Sequence, residues 1–143
     1  MGRTDFSTEL LKGVSVLIVD DHADSREVLR TILRYYGALT ADAADAAAAM
    51  KHLRRYTPDV IVVDLILPDL TGFELVAQIR KLFGHKLPAV LALTGHSDVA
   101  TRRAALAAGC DHYLTKPVDP SVLARSIADL ATGTLWRRKE ARG

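Results

Sequence analysis

Five short apolar runs, each closing on a polar residue and each followed by helical spacing, restrict this chain more than any other feature. The runs are Val14 to Val19, Ala38 to Ala41, Val60 to Val63, Ala89 to Leu93 and His112 to Thr115. The central ones are almost wholly apolar, with Val and Ile prominent in the first and third, as strands covered on both faces of a parallel sheet require. Between them lie segments that read as helices. The first can be capped at Asp24 or Ser25, carries Val28, Leu29, Ile32, Leu33 and Tyr36 on one stripe, and stops at Gly37. The second is Ala-rich and runs from Asp42 to Tyr56, with Met50 and Leu53 as its larger apolar residues. The third follows Pro68, Asp69 and Gly72 and carries Phe73, Val76, Ile79 and Leu82. The fourth runs from Asp98 to Ala108 and stops at Gly109; the fifth starts at Asp119 and continues through Val122, Leu123, Ile127 and Leu130. Alternation of this kind predicts an α/β fold, (βα)5, with a doubly wound parallel sheet. Such sheets bind ligands beyond the carboxyl ends of their strands.

At 143 residues and 49% hydrophobic, the chain is one domain long and can bury a core without disulfide or structural metal. Its lone cysteine, Cys110, excludes an internal disulfide and reads as a packing residue. The first residues lack the apolar core of a signal peptide, and no apolar run approaches membrane-spanning length, so a cytoplasmic location is expected. We divide the chain into a lead-in (1–13), a domain (14–132) and a basic tail (133–143) expected to be disordered. The tail sets the net charge of +2, because four basic residues there oppose only Glu140. The rest is near neutral, which argues against a domain-wide nucleic-acid surface. Trp136 among basic neighbours leaves binding through the tail as a lesser alternative.

The chemistry collects at the strand ends: Asp20-Asp21, Asp64, Thr94 and Lys116. Parallel neighbours lie about 4.8 Å apart, so these groups would crowd one crevice. Carboxylates this close repel unless a cation joins them, and an oxygen-rich set suits Mg²⁺. An ammonium and a hydroxyl facing that ion suit phosphoryl oxygens. The implied chemistry is metal-assisted phosphoryl transfer with a carboxylate nucleophile. A haloacid-dehalogenase-like phosphatase would need a second acid two residues after the nucleophile, and that position is Ile66. No G-x-G-x-x-G or P-loop pattern is present.

From Val14 to Leu130 the motifs Val19-Asp20-Asp21, Val63-Asp64 with Pro68 and Gly72, Leu93-Thr94-Gly95 and Tyr113-Leu-Thr-Lys116-Pro117 together resemble the receiver domain of two-component response regulators. The resemblance implies a flavodoxin-like strand order 2-1-3-4-5. It implies Asp64 as acceptor of a phosphoryl group from a phosphohistidine of a sensor kinase or phosphotransfer protein. Asp21, Asp64 and the backbone carbonyl of Ile66 would ligate Mg²⁺, or Mn²⁺ in its place, with Asp20 acting through water. Thr94 and Lys116 would hold the phosphoryl oxygens, Tyr113 would turn inward behind Thr94, and Lys116-Pro117 would be cis. The surface of the fourth helix, fifth strand and fifth helix would then change for a partner. Tyr113 has a competing reading as a half-buried core residue.

Ile66, flanking the acceptor, and His96, two residues after Thr94, are candidates for tuning dephosphorylation, although His96, like His22, equally reads as a solvated loop histidine. Arg26, Arg30 and Arg34 form a stripe that is either a solvated face or, since the first helix of receivers docks the phosphodonor, a surface for an acidic partner. Too few residues follow Leu130 for a DNA-binding module, so a stand-alone receiver, monomer or weak dimer, is expected, and not a turnover enzyme. The alternatives are a receiver excised from a hybrid sensor kinase, which the Lys12-Gly-Val and Lys116-Pro-Val-Asp-Pro120 stretches resemble, and an interaction module that takes no phosphate.

Overall fold

The computed structural model describes residues 8–84, 88–95 and 98–142, with 134–142 as backbone only. In chain order the elements are β1 (Ser15–Val19), α1 (Ala23–Tyr35), β2 (Leu39–Ala43), α2 (Ala46–Arg55) and β3 (Val60–Asp64). They continue as α3 (Gly72–Phe83), β4 (Ala89–Thr94), α4 (Val99–Ala108), β5 (His112–Thr115) and α5 (Pro120–Arg142). All pairings are parallel and the order is β2-β1-β3-β4-β5, as expected.

Alternate residues of each strand face opposite layers. Leu17, Val19, Ile61, Val63, Val90 and Ala92 pack with Met50, Leu53, Leu75, Val76 and Ile79 under α2, α3 and α4. Val16, Ile18, Val60, Val62, Leu91 and Leu93 pack with Leu29, Leu33, Leu123 and Ile127 under α1 and α5. This period of two explains why the central runs are apolar but for Ser15 at the start of β1, whose hydroxyl donates to Asp59: both faces are dry. Leu11 is fully buried in the second layer, so the described part of the lead-in belongs to the domain.

Four boundaries differ from expectation. Asp42 lies in β2, not in the Ala-rich helix, whose N-cap is Asp45 with its side chain accepting from the Ala48 amide. β2 is an edge strand with only Ala43 buried, so it lacks the apolar run that marks the others. Helix α1 starts at Ala23 with His22 at the cap and no side-chain cap bond, so neither Asp24 nor Ser25 caps it. On α1 and α3 the buried stripes turn slightly: Val28 and Leu82 are exposed, and Leu75 is buried. Finally, α5 runs on to Arg142 through the segment expected to be a disordered tail. Gly133 costs a helix about 1 kcal/mol, which does not end one that continues into Leu, Arg, Lys, Glu and Ala.

The turn after β3 is fixed closely. A Cβ on Gly72 would lie 2.6 Å from the Asp64 carbonyl oxygen and from the Leu65 Cα, so only glycine lets α3 begin against the end of β3. Thr71 and Glu74 close a capping box around that start. Asp69 reaches out of the same turn to accept from the Ala46 and Ala47 amides, tying it to the first turn of α2. Those amide hydrogen bonds, led by Ala46, hold the Asp69 carboxyl below its ordinary value.

Candidate functional site

Register delivers the acids to one level. Val19 of β1 faces Val63 of β3, so Asp20 and Asp64 follow side by side. Asp64 in turn faces Leu93 of β4, and Thr94 faces Thr115 of β5. The Lys116 amide donates to the Thr94 carbonyl at 2.7 Å, which extends the β4–β5 pairing by one residue and brings the lysine over the strand ends. The Lys116-Pro117 bond is cis, as expected.

Lys116 Nζ donates to Asp64 Oδ2 at 3.1 Å and to Asp20 Oδ2 at 3.2 Å. Asp64 Oδ1 accepts from the Ile66 amide at 2.9 Å. Asp20 is almost wholly buried, 1% exposed, and is the most completely bonded of the acids. Its Oδ1 accepts from the His22 amide at 2.9 Å, and its Oδ2 accepts from Ser25 Oγ at 2.6 Å as well as from Lys116. Burial works to raise the Asp20 pKa, but the Ser25 hydroxyl, the His22 amide and Lys116 together hold it below its ordinary value. Burial works to lower Lys116, and its bonds and proximity to Asp64 and Asp20 reverse that, so the ammonium binds its proton more tightly than usual.

Ligand atoms of Asp20, Asp21, His22 and Asp64 all lie within 4.8 Å of one another. Asp21 is exposed and its Oδ1 lies 3.0 Å from His22 Nδ1. One ammonium bonds two of these carboxylates and leaves Asp21 without it, so the donor set suits a hard divalent cation that would share Asp21 and Asp64, and Mg²⁺ fits it. Asp20, the most buried, with three donors already on its two oxygens, suits the indirect role.

The other expected residues sit at the same end. Thr94 is buried at the end of β4, and Tyr113 is half-buried on β5, packed on the layer beneath α3 and α4. Ile66 is 64% exposed, two residues after Asp64. His96 lies outside the described residues. Cys110 is buried, as read, and burial pushes its thiol up to about 12.

Some side chains do more than their local pattern suggests. Ser25, a candidate helix cap in the sequence, donates to Asp20 instead; the five-residue offset from one turn of helix to a strand end carries no local signal. His22 is largely exposed and stands beside the acids, near the crevice as expected. The arginine stripe of α1 is neither free nor simply solvated. Arg26 and Arg30 both reach Asp42 on β2, Arg34 reaches Thr40, and Arg26 also donates to the Asp20 carbonyl at 2.8 Å. What α1 presents beside the acids is apolar: an open groove of about 510 Å³ lined by Ser25, Val28, Leu29, Ile32, Lys116 and Val118 among others.

Comparison with known proteins agrees with this geometry. Residues 16–128 match the family model described as the response regulator receiver domain. An uncharacterised 14.6 kDa protein of Leptolyngbya boryana is 41% identical over 83% of this chain and 91% of its own length. The probable transcriptional regulatory protein TcrX of Mycobacterium tuberculosis is 41% identical over 73% of this chain, which spans only 44% of that protein. A solved receiver domain protein, described as CheY-like, from Methanospirillum hungatei superposes with a TM-score of 0.80. The two are 28% identical, over 89% of this chain and 98% of that one.

Proposed function

The chain belongs to the response regulator receiver family and is a phosphoryl-accepting switch, and from that premise we propose that Asp64 is the acceptor and Mg²⁺ its cofactor. The observation that carries the proposal is the Asp64 carboxylate at the end of β3. Lys116 sits at 3.1 Å on one of its oxygens, and Asp20 and Asp21 lie within 4.8 Å. Receiver domains act with histidine kinases or phosphotransfer proteins. An Asp64 oxygen attacks the phosphorus of a phosphohistidine, the P–N bond breaks, and the imidazole leaves with a proton. Asp21 and Asp64 would hold Mg²⁺, which would supply positive charge to offset the negative charge of the phosphoryl oxygens. Lys116 neutralises the same oxygens from the other side, with Thr94 as a hydroxyl donor.

The apolar groove between α1 and Lys116–Val118 is the docking place for the phosphodonor, because it opens directly beside the acceptor. The output surface is α4–β5–α5, where Val99, Leu106 and Val122 are exposed apolar residues, with Thr94 and Tyr113 as the link to it. The Leptolyngbya protein supports a form that acts without an attached output module. The chain takes phosphate on itself and does not turn over external esters, because Ile66 stands where a phosphatase of similar chemistry needs an acid. Among the described residues no helix is long and apolar enough to cross a membrane.

Intact mass after incubation with acetyl phosphate tests the proposal. A Mg²⁺-dependent gain of one phosphoryl group, lost in Asp64→Ala, is expected. No gain from acetyl phosphate or from a phosphorylated histidine donor overturns it. The exposed, apolar Ile66 offers nothing to position an attacking water, so the aspartyl phosphate decays slowly. Ile66→Asn is expected to speed decay several-fold, and an unchanged rate refutes that explanation.

A further inference from the structure

Asp20 Oδ2 has two donors of different fates. Lys116 Nζ shares itself between Asp20 at 3.2 Å and Asp64 at 3.1 Å. Ser25 Oγ gives its proton to the same Asp20 oxygen at 2.6 Å, the shorter bond. A phosphoryl group on Asp64 brings new anionic oxygens to Lys116, and an ammonium has three protons to distribute. The bond it can give up is the one to Asp20. That would leave a carboxylate only 1% exposed with one of its oxygens short of a partner, unless something else holds it.

We propose that Ser25 is a positioning residue: its hydroxyl keeps hold of Asp20 when Lys116 is recruited to the phosphoryl group, so that the carboxylate stays aimed at the cation. The inference rests on the phosphoryl-acceptor reading above and adds a residue to it. Position matters twice here. Ser25 stands in the first turns of α1, so its backbone is fixed by the helix, and it lines the groove beside Asp24 and Val28. The hydroxyl reaches Asp20 from α1, whereas Lys116 follows β5; both line the groove. The neighbouring His22 amide holds the other Asp20 oxygen at 2.9 Å and does not depend on Lys116. Ser25 Oγ shares Oδ2 with the lysine.

The test compares Ser25→Thr, which keeps the hydroxyl, with the nearly isosteric Ser25→Val, which lacks it. Each full-length variant is titrated with MgCl2 by calorimetry, with and without beryllium fluoride as the phosphoryl mimic, and melting temperatures check folding. Ser25→Thr is expected to match the parent in both conditions. Ser25→Val is expected to lose about twofold in Mg²⁺ affinity alone and about tenfold, ~1.4 kcal/mol, with beryllium fluoride. Equal losses in the two conditions, or none relative to Ser25→Thr, overturn the proposal. Failure of the underlying reading looks different: the parent would then show no beryllium fluoride effect on Mg²⁺ binding, or Asp64→Ala would retain one.

Discussion

The sheet carries a buried charged cluster at each end, and the two are built on opposite rules. At the amino end, Arg80 of α3 is almost wholly buried and every direction of its guanidinium has a partner. It donates to the Gly109 carbonyl at 2.9 Å, the Pro88 carbonyl at 2.7 Å, the Gly84 carbonyl at 3.3 Å and Asp111 at 2.7 Å. Asp111 also accepts from the Val90 amide at 2.8 Å. One cation meets one anion, and the remaining donors go to carbonyls at the ends of α3 and α4 and the start of β4. Even Gly109 is shaped to it: φ is +112°, and a Cβ there would lie 2.7 Å from the Arg80 side chain. At the carboxyl end, three carboxylates gather around one ammonium, which bonds only Asp20 and Asp64. The first cluster is closed and holds elements together. The second is left short of positive charge, and that deficit is what a divalent cation and a phosphoryl group can use.

The largest effect should come from opening the closed end. Arg80→Met leaves Asp111 without its cation and removes the donor from three backbone carbonyls. Breaking one partner of a buried pair costs about 3–5 kcal/mol. Urea unfolding should show that loss, with a melting point lower by roughly 10 °C. Below the melting transition, phosphoryl acceptance should persist, since no part of the Arg80 cluster touches the acids. A loss under about 1 kcal/mol would mean that the two ends do not differ in the way drawn here.

Neutralising a carboxylate at the other end should have the opposite sign. Asp21→Asn removes one of three repelling charges and is expected to stabilise the metal-free protein by about 0.5–1 kcal/mol, or roughly 2–4 °C. The same change should abolish the stabilisation that millimolar Mg²⁺ gives the parent, because ligand binding to the native state alone is what raises its stability. Thermal melts with Mg²⁺ and with chelator decide both points. Destabilisation in chelator would show that the acids are held as tightly as Arg80.

How far these clusters were legible in the sequence follows from how local their causes are. Asp20, Asp21, Asp64, Thr94 and Lys116 were visible because each ends an apolar run, and parallel topology brings run ends together. Arg80 was not, because it sits beside the apolar stripe of α3 and its partner Asp111 is 31 residues away. Nothing within a helical turn distinguishes it from a solvated arginine. The same holds for Ser25, whose acid lies on the preceding strand, and for Arg26 and Arg30, whose shared Asp42 was assigned to the wrong element. β2 was indistinct because an edge strand with a small, polar sequence has no periodicity to read. The capping box Thr71-Gly-Phe-Glu74 was in plain view as a motif and fixes the start of α3.

A smaller effect concerns acid. The Asp20 pKa is depressed in the folded protein, so its contribution is fully present above the unfolded value near 3.8 and is lost as pH falls through the lower folded value. In chelator, stability of the parent should therefore drop more steeply below pH 4 than that of Asp20→Asn, by less than about 1 kcal/mol. Lys116 has the opposite sign, and its contribution is lost only at alkaline pH, above the ordinary 10.5. Identical acid slopes in urea titrations would remove Asp20 from the account.

The smallest effect leaves stability unchanged and reads the closed end directly. Cys110 adjoins Gly109 and Asp111, and its thiol is pushed up to about 12 because burial disfavours the thiolate, with Asp111 adding to burial and Arg80 opposing it. The thiolate is the reactive form, so at pH 8 a thiol reagent should label the folded protein far more slowly than the unfolded chain. Labelling then requires opening of the Arg80 end. If that end opens locally, Mg²⁺ bound at the distant acids leaves the rate unchanged. If it opens only by global unfolding, Mg²⁺ slows labelling in proportion to the stability it adds. The many bonds of Arg80 join α3, α4, β4 and β5, so opening there undoes most of one layer. We therefore expect the second result, with Arg80→Met shifting labelling toward the first.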